Sequence, residues 1–184
     1  MGSVIYLIRH TSVEKMEGIC YGQSDVKLSE WFELEAGNVQ RKLAEIPYDS
    51  IISSPLSRCC HLASCLNGTV HTDRRLMEMN FGEWELLPWT EIYHRAEGKK
   101  WFGNYLHEAP PGGESFQSMI RRVSEFIGEV CTDDKVIVIV THAGTIRAFL
   151  AAMGLVAMDQ AFDIPVAYGE VIKIEDNRYN YITK

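Results

Sequence analysis

No run in this 184-residue chain approaches the roughly 18 to 20 consecutive apolar residues that a membrane-spanning helix needs. The N-terminus also lacks the charged start, apolar middle and small-residue cleavage site of a secretory signal, so a cytoplasmic protein is expected. A basic excess is missing too. Eighteen Lys and Arg stand against 25 Asp and Glu, a formal net charge of -7, which argues against a nucleic-acid backbone as partner. It leaves room for a small anionic ligand, because a pair of arginines can dominate the field inside a cleft. Disulfide patterning is absent: Cys20, Cys59, Cys60, Cys65 and Cys131 are odd in number, follow no secreted spacing and make no zinc pattern, so free buried thiols are expected. There is no internal repeat and no low-complexity tract, and the length fits one domain over residues 1–184.

What the chain does have is two apolar runs that each end in histidine. Val4-Ile5-Tyr6-Leu7-Ile8-Arg9-His10-Thr11 is the first, and Lys135-Val136-Ile137-Val138-Ile139-Val140-Thr141-His142-Ala143-Gly144 is the second. Near-continuous apolar residues mark strands buried on both faces, and ligands gather beyond the carboxyl ends of such strands. Two histidines from distant parts of the chain are thereby predicted to face one pocket.

Between the runs the pattern alternates. Residues 11–28 show no periodicity and form a long loop, read as a wall of the site. Ser29 is placed as the cap of a helix with Glu30 and Glu33 in its first turn, ending near 46 before Pro47. Tyr48 to Ser53 reads as a short strand, and Pro55 opens a helix capped by Ser53 or Ser54, with Arg58 about one turn in. From there its guanidinium reaches an anion at the strand end. Thr69 to Thr72 is a third strand. Residues of about 70–112 form an insertion, a small lid or cap, in which Glu78 lies among aromatics with Gly82, Trp84 and Glu85. A helix follows Pro110-Pro111-Gly112-Gly113, from about 114 to 130, and another begins near Gly144. Val166 to Ile174 and Arg178 to Ile182 read as a closing hairpin or sheet edge.

Strands alternating with helices predict an α/β fold, a mostly parallel sheet with helices on both faces. Its strand ends would gather Arg9, His10, Arg58 and His142, with Glu78 arriving from the insertion. Two guanidinium groups match phosphoryl oxygens, one imidazole can attack phosphorus, the second can stabilise charge, and a carboxyl can protonate the departing oxygen. That set performs phosphoryl transfer with no metal or cofactor. Singly, each residue is more often structural: a strand-end His a hydrogen-bonded residue, a lone Arg a surface ion pair. The pairing of Arg-His and Thr-His at two strand ends reverses that balance. His61, His71, His94 and His107 have no such setting.

Leu7-Ile8-Arg9-His10, Ser53-Ser54-Pro55-Leu56-Ser57-Arg58, Leu76-Met77-Glu78 with Gly82 and Trp84-Glu85, Gly113-Glu114-Ser115 and Val140-Thr141-His142-Ala143-Gly144 resemble, in order, the successive motifs of the histidine phosphatase superfamily, the phosphoglycerate mutase-like fold. The resemblance runs from residue 4 to about 150. It implies that His10 is the phosphorylated nucleophile, Glu78 the proton donor, and Arg9, Arg58 and His142 the phosphate pocket. Cys20-Tyr21-Gly22-Gln23-Ser24-Asp25-Val26, Thr11, and Trp84-Glu85 followed by Pro88-Trp89 are most similar to the α-ribazole phosphatase branch, and Thr11, Tyr21, Gly22, Gln23 and Ala143 are the implied substrate-binding positions. Departures from the family pattern fall at Thr11, which replaces the commoner glycine, at Leu86, which stands where many members have glycine, and at Ala143, which interrupts a usual glycine pair. The expected activity is a metal-independent phosphomonoesterase acting on a small-molecule phosphate monoester, with no nucleic acid or membrane partner and the oligomeric state left open. A base-like leaving group would stack on Tyr21, Trp84 or Trp89. A broad sugar-phosphate phosphatase, a phosphoglycerate mutase and a catalytically silent binding module are the rival expectations.

Overall fold

Strands β1 (Val4–Arg9), β2 (Ser50–Ser53), β3 (Val70–Thr72), β4 (Val136–Thr141), β5 (Val171–Glu175) and β6 (Arg178–Tyr181) form one sheet in the order β3-β2-β4-β1-β5-β6. The computed structural model describes residues 3–131 and 134–183. β3, β2, β4 and β1 run parallel, and β5 and β6 complete the edge antiparallel. The two apolar runs are therefore adjacent central strands. Their register pairs Arg9 with Thr141, so His10 and His142 emerge at neighbouring strand ends. On the other side of β4, Ser53 pairs with Val140, which brings Ser54 to the same rim.

The pleat sorts these strands between two cores, since successive side chains point to opposite faces. Ile5, Leu7, Ile137 and Ile139 face one core, while Tyr6, Ile8, Val138 and Val140 face the other. On the second face lie α1 (Phe32–Leu43), through Ala36, Val39 and Leu43, and α2 (Ser57–Ser64), through Cys59, Leu62 and Ala63. The first face is covered by α5 (Phe116–Val130) and α6 (Ala143–Ala152), which follow α3 (Trp89–His94) and α4 (Ala96–Gly103) in the chain. Phe116, Met119, Ile120, Val123 and Phe126 repeat at helical spacing along α5 and are all buried. Each such side chain contributes about 1.5–3 kcal/mol by leaving water. The fold class read from the sequence is the one observed.

The insertion packs as part of this core. Leu76, Met79, Phe81, Trp84, Ile92 and Trp101 share a cluster with β1, β4, α5 and α6. Trp84, offered above as a stacking surface, is 1% exposed and belongs to that interior.

Local boundaries differ from the sequence reading in instructive ways. α1 starts at Phe32 after Trp31, without a side-chain cap. Ser29 instead accepts a hydrogen bond from Trp31 N and bonds Ser12 Oγ, so it fixes the turn before the helix. Neither Ser53 nor Ser54 caps α2. Asp25, from the long loop, accepts from Ser57 N at 3.0 Å and Ser57 Oγ at 2.7 Å, placing a carboxylate at the helix start where the dipole favours it. The closing segment is a hairpin, but β5 begins at Val171 and not at Val166. Its turn residues Asp176 and Asn177 both take positive φ, as the tight turn between right-twisted strands requires. All five cysteines are unpaired; Cys20 and Cys59 are buried, whereas Cys60, Cys65 and Cys131 are partly exposed. Among the described residues no helix is long and apolar enough to cross a membrane.

Candidate active site

Strand register brings His10 against His142, with ring centroids 5.1 Å apart. Both are buried, at 2% and 0% exposure. His10 Nδ1 lies 2.7 Å from the carbonyl oxygen of Thr11. A carbonyl only accepts, so the proton sits on Nδ1 and the Nε2 lone pair is left free. Burial, with Arg58 and then Arg9 nearby, holds the His10 ring well below the usual histidine pKa, opposed by the Thr11 bond. The ring is neutral at physiological pH, which is what a nitrogen nucleophile needs. Burial and Arg58 likewise depress His142. His142 Nε2 lies 2.8 Å from Ser54 Oγ and 3.5 Å from Cys59 Sγ.

The two arginines reach the same place from different elements. Arg58 is the second residue of α2 and wholly buried; it donates to Gly22 O at 2.6 Å and Ser24 O at 2.9 Å. Arg9, at the end of β1, donates to Val166 O at 2.6 Å. The Nε of each guanidinium is buried without a hydrogen-bond partner. Their partners are carbonyl dipoles, which position a cation without neutralising it. The result is a positive, anion-seeking pocket.

The Gly22 carbonyl can reach Arg58 because the chain turns there at φ +36°, where a Cβ would lie 2.6 Å from Glu85 Oε1 and 2.8 Å from Met79 O. Glu85 ties this loop down, accepting from Gln23 N at 2.9 Å and Ser24 Oγ at 2.5 Å.

Glu78 comes from the insertion and meets the start of α6. Its carboxylate accepts from Met79 N at 2.9 Å and Gly144 N at 3.1 Å, and only glycine at 144 leaves it space. The Glu78 carbonyl accepts from Gln23 Nε2 and from Arg122, which is itself paired with Glu114 at 2.7 Å. Thr141 and Thr145 hydroxyls hold the preceding carbonyls of Leu76 and Met77.

Arg9, Tyr21, Gly22, Glu78 and Ala143 line one cavity of about 250 Å³, together with Trp89 and Arg147. Thr11 is buried beside His10, and Gln23 acts on the Glu78 main chain. Three contributors escaped sequence reading. Tyr168 lies with its ring 3.8 Å from the Arg9 guanidinium carbon and 5.6 Å from the His10 ring, and its hydroxyl meets Tyr21 at 3.1 Å. Arg147 is lowered from the usual arginine range, chiefly by burial. Ser54 holds His142. Tyr168 and Arg147 follow no motif signal, whereas Ser54 sat inside one and was assigned to helix capping. Among the described residues no three His, Cys, Asp or Glu side chains form a metal-ligand group.

Residues 5–182 match the histidine phosphatase superfamily, branch 1. The chain belongs to that family. This histidine phosphatase is 30% identical over 158 residues, 81% of its length and 78% of the relative's, to the adenosylcobalamin/alpha-ribazole phosphatase of Salmonella typhimurium. Its fold matches the alpha-ribazole phosphatase of Shigella flexneri with a TM-score of 0.83, at 24% identity over 97% of this chain and 94% of that one. A mycobacterial glucosyl-3-phosphoglycerate phosphatase complexed with VO3 matches with a TM-score of 0.84 at 25% identity, covering 97% and 96%. The histidine phosphatase described here is an enzyme that hydrolyses phosphate esters.

Proposed function

We propose that this phosphatase cleaves α-ribazole 5'-phosphate, or adenosylcobalamin 5'-phosphate, in cobalamin biosynthesis through a phosphohistidine at His10. The observation that carries the mechanism is the Thr11 carbonyl on His10 Nδ1, which leaves Nε2 as the attacking atom beside two arginines that donate to main-chain carbonyls. His10 Nε2 forms a bond to phosphorus as the ester P–O bond breaks. The leaving oxygen takes a proton from Glu78. Arg9, Arg58 and His142 hold the charge on the transferring group. Once the alcohol departs, Glu78 accepts a proton from water as that water attacks phosphorus, the P–N bond breaks, and phosphate leaves with His10 and Glu78 restored. No metal or cofactor enters the scheme. The substrate assignment is supported by the name of the Salmonella relative and by Tyr21, Gly22 and Trp89 on the cavity wall.

A second reading, a phosphatase of sugar phosphates or phosphoglycerates, is favoured by Arg147, a second cation on the cavity wall suited to an additional anionic group. One assay separates them: phosphate release with chelator present, across α-ribazole 5'-phosphate, sugar phosphates and phosphoglycerates. A preference for α-ribazole 5'-phosphate supports the first reading, and preference for a carboxylated ester replaces it with the second. Isomerisation of phosphoglycerate without phosphate release would instead make the chain a mutase.

A further inference from the structure

A second cavity, of about 390 Å³, adjoins the catalytic one. Its walls are Phe81, Trp89, Trp101, Phe102, Tyr105 and Phe162, every one aromatic, and Phe81, Trp89 and Phe162 line both cavities. Trp89 and Trp101 lie 24° from parallel, while Phe102 meets Trp101 edge-on at 5.0 Å and Phe162 meets Tyr105 at 4.7 Å. Phe102 and Phe162 remain 40% and 36% exposed. Exposed apolar surface gathered beside a catalytic cavity marks a place where a ligand is covered.

We infer that this aromatic cleft is a specificity subsite for a flat ring carried by the leaving alcohol, joined to the phosphate through a polar spacer. This rests on the phosphatase reading and deepens it. The order of chemistry along the path dictates the ligand. Next to phosphorus the walls carry Arg9, Glu78 and Arg147, which suit a hydroxylated spacer such as a sugar. Beyond Trp89 the walls carry only rings, which favour another flat ring in offset or edge-on contact over a flexible chain. Phe81, Trp89 and Phe162, which belong to both walls, set the two cavities side by side. Trp84 takes no part, being interior. Tyr21 lines only the first cavity.

Phe102 tests this cleanly, because it lines the aromatic cleft and not the phosphate-side cavity. The measured quantity is the ratio of kcat/KM for α-ribazole 5'-phosphate to that for ribose 5-phosphate, in wild type, Phe102→Ala and Phe102→Leu. The expected result is a wild-type ratio well above one that falls about tenfold in both variants, through KM for the aromatic ester. A high ratio untouched by either substitution overturns the cleft and leaves the substrate reading standing. Loss in Phe102→Ala with recovery in Phe102→Leu overturns the flat-ring requirement, and a wild-type ratio near one overturns both cleft and substrate. If neither ester is hydrolysed, the phosphatase reading fails, and tryptophan fluorescence on titration with α-ribazole still decides the cleft. Quenching weakened in Phe102→Ala supports it, and no quenching overturns it. A change in sedimentation from dimer to monomer in Phe102→Ala, with the ratio intact, would assign the face to a second copy of the chain instead.

Discussion

The strand ends and the aromatic segment from Leu76 to Leu106 use burial for opposite purposes. At the strand ends, burial is applied to charge and to titratable rings: Arg58, His10 and His142 are almost wholly enclosed, and the arginines donate to main-chain carbonyls, with the Tyr168 ring against Arg9. Such an arrangement is costly in the free protein and is relieved when an anion arrives. The aromatic segment instead buries what water already rejects, and leaves Phe102 uncovered beside the site, next to the equally uncovered Phe162. On the proposed reading, one region reacts with the phosphoryl group and the other chooses what is attached to it. Glu78 belongs to both, carried by the insertion yet seated on Gly144 N at the start of α6.

The largest effect that separates the regions is at His10. In His10→Ala, phosphate release from every ester is expected to fall by about 10³-fold or more, because the covalent route is gone. The aromatic region should be untouched, so the fluorescence response to α-ribazole stays. Steady-state release measured beside that titration checks both halves. Release within tenfold of wild type would remove His10 from the nucleophile position.

Glu78→Gln tests the residue that joins the two regions. Loss of the proton donor is expected to cost about 10²–10³-fold on an alkyl ester such as ribose 5-phosphate, and much less on nitrophenyl phosphate, whose leaving group needs no proton. The comparison of the two esters in one variant is the measurement. Equal losses would mean that Glu78 only orders Gly144 and Met79.

The chemical half was the more legible in the sequence, for a physical reason. A buried strand must be apolar along its length, so a cation and an imidazole at its last positions stand out, and parallel pairing then brings the ends together without further information. The aromatic half obeys no period. Trp84, Trp89 and Trp101 look alike as letters, but Trp84 is wholly interior, Trp101 is a core residue with one side on the cleft, and Trp89 is only partly buried, a distinction made by long-range packing against β1, α5 and α6. Capping was misread for the same reason: the group at the α2 start is Asp25, more than thirty residues away, and Ser54 is committed to His142. Tyr168 reaches Arg9 only because β5 returns antiparallel to β1.

A smaller effect follows from the buried histidines. Both are depressed below the ordinary value of about 6.5, so the unfolded chain takes up protons first as pH falls through that value. Native stability is therefore expected to be flat above about pH 7 and to fall below 6.5. The slope for two such groups reaches at most about 2.7 kcal/mol per pH unit. Thermal melts between pH 7.5 and 5.5 read this directly. A bound phosphate or vanadate favours the protonated rings and should flatten the fall, and a free-protein curve with no slope in that window would deny that the strand-end region stores this cost.

The smallest expected effect lies in the aromatic segment, at a strained main-chain position. Leu86 takes φ +66°, in the left-handed region where a Cβ crowds its own backbone, and its side chain is 56% exposed. Glycine adopts that conformation freely. The penalty for leucine, about 1–2 kcal/mol, is offset in part by the extra freedom that glycine gives the unfolded chain. Leu86→Gly is thus expected to stabilise the protein by about 1 kcal/mol, raising Tm by about 2–4 °C for a chain of this size. The main-chain bond from Leu86 N to Cys20 O ties this residue to the loop before Tyr21 and Gly22. If the strain serves to press that loop onto the site, Leu86→Gly will raise Tm and lower kcat/KM together. A gain in Tm with unchanged kinetics would confine the strain to the aromatic segment, and a lower Tm would show that Leu86 makes a compensating contact.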